Sequence, residues 1–184
     1  MKKIITLVLF CIFLSCDSKK TEIVTIKNKY SVELPAFLSK GNNLHEEASL
    51  QYQNTFKEFY IIILDESKQE IIDAAPFLEI EPTLEGYYTY LTNSMKETIK
   101  NPRFNDIKNT RINGMNAKTF SVTGNVDGLD AYYKLAYVEG KETYYQILTW
   151  TLLKNQEKNA HEMDKIISSF KEIGTRKGSD RSKK

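Results

Sequence analysis

DIKNTRINGMNAKTFSVT, residues 106–123, holds the decision about the fold. Two runs that alternate apolar and polar residues flank Asn113-Gly114. An Asn-Gly pair in that setting marks a tight hairpin, because both of its residues tolerate the positive φ that a two-residue turn demands. The spacing therefore predicts antiparallel strands over 106–112 and 117–123. The pattern continues downstream. After a turn from Gly124 to Gly128, Ala131 to Glu139 reads as a strand, Gly140-Lys141 turns, and Glu142 to Leu152 returns. This gives a three-strand meander of long strands, rich in the tyrosine and threonine that pleated surfaces favour.

Upstream, Glu22 to Lys27 and Tyr30 to Leu34 alternate around the turn Asn28-Lys29, and Pro35 ends that hairpin. Residues 36–47 are irregular around Gly41-Asn42-Asn43. Ala48 to Asn54 alternates again. Glu58 to Asp65 is an almost unbroken apolar run, which suits a central strand covered on both faces. Ser67-Lys68-Gln69-Glu70 has the form of a capping box, so a short helix is expected through about Ala75, before Pro76. Leu84, Tyr87, Tyr88, Leu91, Met95 and Ile99 recur at helical spacing, with Pro102 expected to stop that helix. Asn155 is placed to cap a last helix, whose stripe Met163, Ile166, Ile167 and Phe170 needs a sheet to cover it. Helices and antiparallel strands come in separate blocks, so the class is α+β, with a twisted, mainly antiparallel sheet and the long helices packed against it.

The chain opens MKKIITLVLFCIFLSC, residues 1–16. A basic start and a short uncharged apolar run have the layout of a secretory signal, and the run is too short to span a bilayer. Phe13-Leu14-Ser15-Cys16 resembles a bacterial lipobox with a relaxed pattern. That resemblance implies a peptidase cut between Ser15 and Cys16 and a lipid on the Cys16 thiol. The competing reading is an ordinary secretory signal with a fortuitous cysteine. Residues 1–15 are then a signal peptide, 16–21 the anchor and spacer, 22–173 one domain, and 174–184 a basic, disordered tail. A lipid-anchored protein of the periplasm or cell surface is expected; Asp17 leaves the choice of membrane open.

Cys11 and Cys16 are the only cysteines. With Cys11 discarded and Cys16 acylated, no disulfide, cysteine zinc site or cysteine nucleophile remains. Removing residues 1–15 takes away Lys2 and Lys3 and leaves basic and acidic residues equal at 24 each. No global field points to nucleic acid.

Tyr30-Ser31-Val32-Glu33-Leu34-Pro35 with Phe37, Ile112-Asn113-Gly114-Met115, Tyr144-Tyr145-Gln146-Ile147 and Ile166 to Lys171 together resemble the PsbP-like fold, over about residues 22–173. The resemblance implies an α/β/α sandwich around an antiparallel sheet. The family includes photosystem extrinsic subunits, a nuclear-import factor acting on a small GTPase, and bacterial lipoproteins such as the DcrB-like group. It implies protein binding more than chemistry.

Candidate reactive residues are sparse. His45 stands beside Glu46 and Glu47 in a loop, and His161 beside Glu162 on the last helix. Asp65-Glu66 is the best carboxylate pair, but neighbours on a strand point to opposite faces. Asp127 and Asp130 around Gly128 read as a turn, not a calcium loop. No nucleotide fingerprint or nucleophile elbow occurs. No catalytic residue, metal or cofactor is expected. Tyr88, Tyr133 and Tyr145 are the candidates for contact with a protein partner; the alternative places such tyrosines between sheet and helices. Three functions follow: an anchored, non-catalytic binding or assembly module of the cell envelope; a carrier of lipid or another apolar ligand between the sheet and the Leu84–Ile99 helix; and an envelope hydrolase using Asp65, Glu66 or His45.

Overall fold

The computed structural model describes residues 20–174. The signal peptide, Ser15, Cys16 and the tail beyond Gly174 lie outside the described residues.

The Asn113-Gly114 turn forms as its sequence requires, with φ of 48° and 88°. It joins β6 (Lys100–Ile112) to β7 (Met115–Val126). Asp127-Gly128, with φ of 52° and 86°, makes a second two-residue turn into β8 (Leu129–Glu139), and β9 (Thr143–Leu152) follows. The turn is shorter than the span from Gly124 to Gly128, because Gly124 is a strand residue paired with Ala131. A Cβ there would lie 2.3 Å from Cγ2 of Ile99, so only glycine lets the preceding helix end come down on β7.

The earlier elements are β1 (Thr21–Ile26), β2 (Tyr30–Pro35), β3 (Ser39–Lys40), β4 (Leu50–Asn54), β5 (Phe59–Ser67), α1 (Lys68–Leu78) and α2 (Leu84–Thr98). A 3₁₀ turn, Leu153–Asn155, leads into α3 (Gln156–Ser169) and β10 (Lys171–Glu172). Two antiparallel sheets result. One has the order β1-β2-β10; the other, seven-stranded, runs β3-β4-β5-β9-β8-β7-β6. β5 and β9 pair near the centre of the larger sheet although β6 to β8 intervene in the chain. The small sheet and α3 cover one face, and α1 and α2 lie on the other. The architecture is the expected α+β sandwich.

Both prolines read as helix stops lie inside elements. Pro76 sits within α1, on its exposed side, where water can satisfy the Ile72 carbonyl that loses an N–H partner. Glu79, at φ 54°, then ends the helix. α2 ends at Thr98, and Pro102 lies in β6, an edge strand that tolerates a missing donor, within the register shift between Lys100 and Arg103. The Ser67 hydroxyl caps α1 by accepting from the Gln69 N–H at 3.2 Å. Asn155 holds the N-cap position of α3 without a side-chain capping bond.

Alternation sorts the central strands cleanly. Toward α3 point Phe59, Ile61 and Ile63 of β5 and Tyr145 and Ile147 of β9, all buried with Tyr30, Met163 and Phe170. Two buried threonines on this face are satisfied: Thr151 Oγ1 accepts from Asn159 Nδ2 at 2.9 Å, and Thr149 donates to the Lys134 carbonyl at 2.8 Å. No helix among the described residues is long and apolar enough to cross a membrane.

Candidate functional site

The helix-side face of the large sheet reads as rows of directly opposed residues. One row runs Gln53, Tyr60, Trp150, Tyr133, Val122, Phe104; the next runs Gln51, Ile62, Leu148, Leu135, Phe120. Such opposed pairs share a face and touch. α2 packs chiefly on β6, β7 and β8, and α1 on the end of β5. Phe120, Val122 and Leu135 are therefore buried under α2 with Tyr87 and Tyr137. The β5 and β9 columns lie beside that cover. Tyr60, Leu64, Leu148, Trp150 and Tyr133 stay half-buried there, around a buried Ile62.

Three neighbouring rings of the first row stack. Tyr60 and Trp150 have centroids 5.3 Å apart at 12°, and Trp150 and Tyr133 6.3 Å apart at 28°. The rings stand on the strands like plates in a rack. α2 bounds the patch on one side. On the other stands the loop around residues 42–47, held by Gln51, whose Oε1 accepts from the Leu44 N–H at 2.8 Å and whose Nε2 donates to the His45 carbonyl. His45 is thus fixed at the rim of the patch, exposed, with Nδ1 accepting from the Glu47 N–H at 3.3 Å.

The sequence candidates fall into different places. Tyr133 belongs to the open stack. Tyr88 is half-buried, edge-on to Phe120 at 5.2 Å, with the Lys118 ammonium 4.2 Å from its ring centroid; Glu85 pairs with that same ammonium. Tyr145 is a correction. It is 2 % exposed, packed on Phe170 at 4.9 Å and Tyr30 at 5.6 Å, and its hydroxyl donates to Glu172 at 3.1 Å. Its strand parity turns it into the α3 core, away from any partner. Trp150 and Tyr60 are the residues that sequence reading passed over. The signal available was the single tryptophan of the chain.

The carboxylates part as alternation demands. Asp65 accepts from Lys29 on the α3 side, and Glu66 accepts from Gln146 on the helix side. The Tyr87 hydroxyl is buried near Glu66 and Gln146; burial, then the Glu66 charge, push it far above the ordinary phenol range. His161 is exposed and lines a groove of about 580 Å³ between α3 and the β6–β7 edge, where Lys134 pairs with Asp164 at 2.8 Å. Asp130 accepts from Asn125 at 2.8 Å, and Asp127 lies in the turn. Among the described residues, no three metal-ligating side chains converge. The contact between α2 and the sheet is filled by Tyr87, Phe120, Leu135 and Tyr137, each at most 1 % exposed.

No protein-family model and no curated protein matches the chain by sequence. Solved structures do match by shape. The solution structure of cyanobacterial PsbP (CyanoP) from Synechocystis sp. PCC 6803 aligns with a TM-score of 0.59 at 8% identity, over 83% of this chain and 92% of that one. A mutant of the protein Mog1 aligns at 0.55 and 11% identity, over 85% and 97%. LpqN of Mycobacterium tuberculosis, described as involved in cell envelope biogenesis, aligns at 0.53 and 8% identity, over 84% and 91%. The fold is PsbP-like, as the sequence resemblance implied. Identities this low establish fold alone.

Proposed function

We propose that this chain is a non-catalytic binding module of the bacterial cell envelope, held at a membrane by lipid on Cys16, which engages a protein partner through the open aromatic face. The observation that carries the reading is the half-buried Tyr60–Trp150–Tyr133 stack beside Leu64 and Leu148. Tryptophan and tyrosine dominate the energetics of protein interfaces, because a rigid ring buries much area at little entropic cost and keeps a polar tip for hydrogen bonding. The division of Asp65 from Glu66 onto opposite faces, each with its own partner, favours binding over hydrolysis.

Crosslinking in the native host, then affinity purification and mass spectrometry, tests both halves. Wild type should recover a defined partner that Trp150→Ala loses while remaining folded. An unchanged partner set with Trp150→Ala would remove the aromatic face from the reading. Cys16→Ala should leave the membrane fraction; persistence there would overturn the lipid anchor.

A further inference from the structure

The anchor and the fold meet at one corner, and that corner carries an unexplained phenylalanine. Four peptide links separate Cys16 from Lys20, so an extended chain spans at most about 15 Å between them. Whatever surrounds Lys20 must then lie near the headgroups of a membrane that holds the Cys16 lipid. The surroundings form a connected set. The Lys20 carbonyl accepts from the Ala36 N–H at 2.8 Å, and the carbonyl of the adjoining Phe37 accepts from Asn54 Nδ2 at 2.7 Å. Asn54 Oδ1 accepts from the Lys57 N–H at 2.9 Å, and the Lys57 ammonium sits 4.0 Å from the Phe37 ring centroid. These bonds fix both ends of the turn between β4 and β5. At its tip stands Phe56, 99 % exposed.

A fully exposed phenylalanine on a braced turn gains nothing within the fold, whereas apolar surroundings would take its ring out of water. Lys57 beside it, and Lys20 across the corner, add charge of the sign that anionic headgroups attract.

We propose that Phe56 inserts into the interfacial layer of the membrane as a second attachment point beside the Cys16 lipid, fixing which end of the domain faces the bilayer. The proposal rests on the lipid anchor proposed above. β5 leaves this corner and runs nine residues to Ser67, so the far end of that strand, with Asp65 and its partner Lys29, points away from the membrane. A one-point lipid tether would leave the domain tumbling; a wedge beside it holds one orientation and keeps the aromatic face presented at a set height.

The test uses the full chain purified from its bacterial host in detergent and reconstituted into phosphatidylethanolamine–phosphatidylglycerol vesicles, some containing phosphatidylcholine brominated near the headgroup end of its acyl chains. Phe56→Trp in a Trp150→Phe background gives one reporter. Phe77→Trp in the same background gives the comparison, since Phe77 is 88 % exposed on α1, which starts from the far end of β5. The indole at position 56 is expected to shift its emission to the blue and lose intensity to the brominated lipid, while the indole at position 77 keeps the emission of an aqueous one. An acylated, vesicle-bound protein whose position-56 indole is unquenched, or quenched no more than the one at position 77, overturns the insertion alone. Intact mass spectrometry of the same sample showing no acyl chains on Cys16 overturns the anchor, and this proposal with it.

Discussion

The two faces of the seven-stranded sheet are made by the same strands, one residue out of step, yet they end in opposite states. Toward α3, Phe59, Ile61, Ile63, Tyr145 and Ile147 are all at most 2 % exposed, sealed by Tyr30, Met163 and Phe170. Toward α1 and α2, on the very same β5 and β9, Ile62, Tyr144 and Gln146 are buried but Tyr60, Leu64, Leu148 and Trp150 are only half-buried. Hydrophobicity does not separate the faces. Coverage does: a second sheet and a helix meet over the first face, while two helices leave the central columns of the other partly bare. One set of strands thus carries a sealed side and a more open one, and the open one is the side proposed above for recognition.

The sharpest way to break this comparison is to truncate one aromatic on each side. Phe170→Ala empties the packing between Tyr30 and Tyr145 and should cost about 3–5 kcal/mol, as for other fully buried aromatic residues. Trp150→Ala, at a position only half-buried, should cost no more than about 2 kcal/mol while removing partner binding. Urea unfolding of both variants checks it; equal losses would mean that the open face is an ordinary core boundary.

Where α2 does cover the helix-side face, the contact is close. Gly124→Ala would put a Cβ 2.3 Å from Ile99 Cγ2 and 3.1 Å from the Lys100 carbonyl, so the helix end must shift. An overpacking cost of about 1–3 kcal/mol is expected from the same urea measurement. A Gly124→Ala protein as stable as wild type would show that α2 rests loosely there.

Local chemistry was readable, and long-range pairing was not. Asn113-Gly114 announces its own turn because the conformational requirement sits in two adjacent residues. The stripe from Met163 to Phe170 announces its own buried face. Pro76 misled because a proline is harmless in a helix where water replaces the lost donor, and exposure is a tertiary property; α2 does end before Pro102, which itself sits in β6 at a free edge. The candidate surface suffered most. Tyr60 faces Trp150 only because β5 and β9 pair across the whole middle of the chain. Tyr132 and Tyr133 part as alternation predicts, one buried and one half-buried, whereas Tyr144 and Tyr145 are both buried, since the helix-side face is covered at Tyr144. Parity tells which residues share a face; it does not tell which face is sealed.

Tyrosine ionisation offers a smaller probe of the sealed side. Burial, then the Glu172 charge, push the Tyr145 hydroxyl above the ordinary phenol range. The folded state therefore keeps a proton that the unfolded chain releases near about pH 10. Its contribution is complete below that pH and falls as pH rises past it. Tyr145→Phe should lower stability at neutral pH by about 1 kcal/mol through the lost bond to Glu172, and should make the alkaline decline shallower. Denaturation between neutral pH and mild alkali separates these two effects; an unchanged alkaline slope would place Tyr145 in contact with water.

The smallest effect tests how α1 is held where it meets the sheet. Glu139 accepts from Asn116 at 3.0 Å and from Lys68 at 2.9 Å, and these bonds hold its carboxyl below the ordinary glutamate range. Lys68 is the first residue of α1, so the pair pins that helix to the end of β8. A carboxyl whose folded pKa is depressed adds stability above its unfolded pKa and loses it as pH falls through the folded value. Glu139→Gln should therefore cost less than about 1 kcal/mol at neutral pH, in line with a partly exposed pair, and the gap from wild type should close below about pH 4. Amide exchange gives the comparison its last turn. If the pin matters, α1 amides exchange faster in Glu139→Gln while β9 amides, held from the sealed face, do not change. Faster exchange in both would mean that the two faces open together, and that their division of labour does not extend to their dynamics.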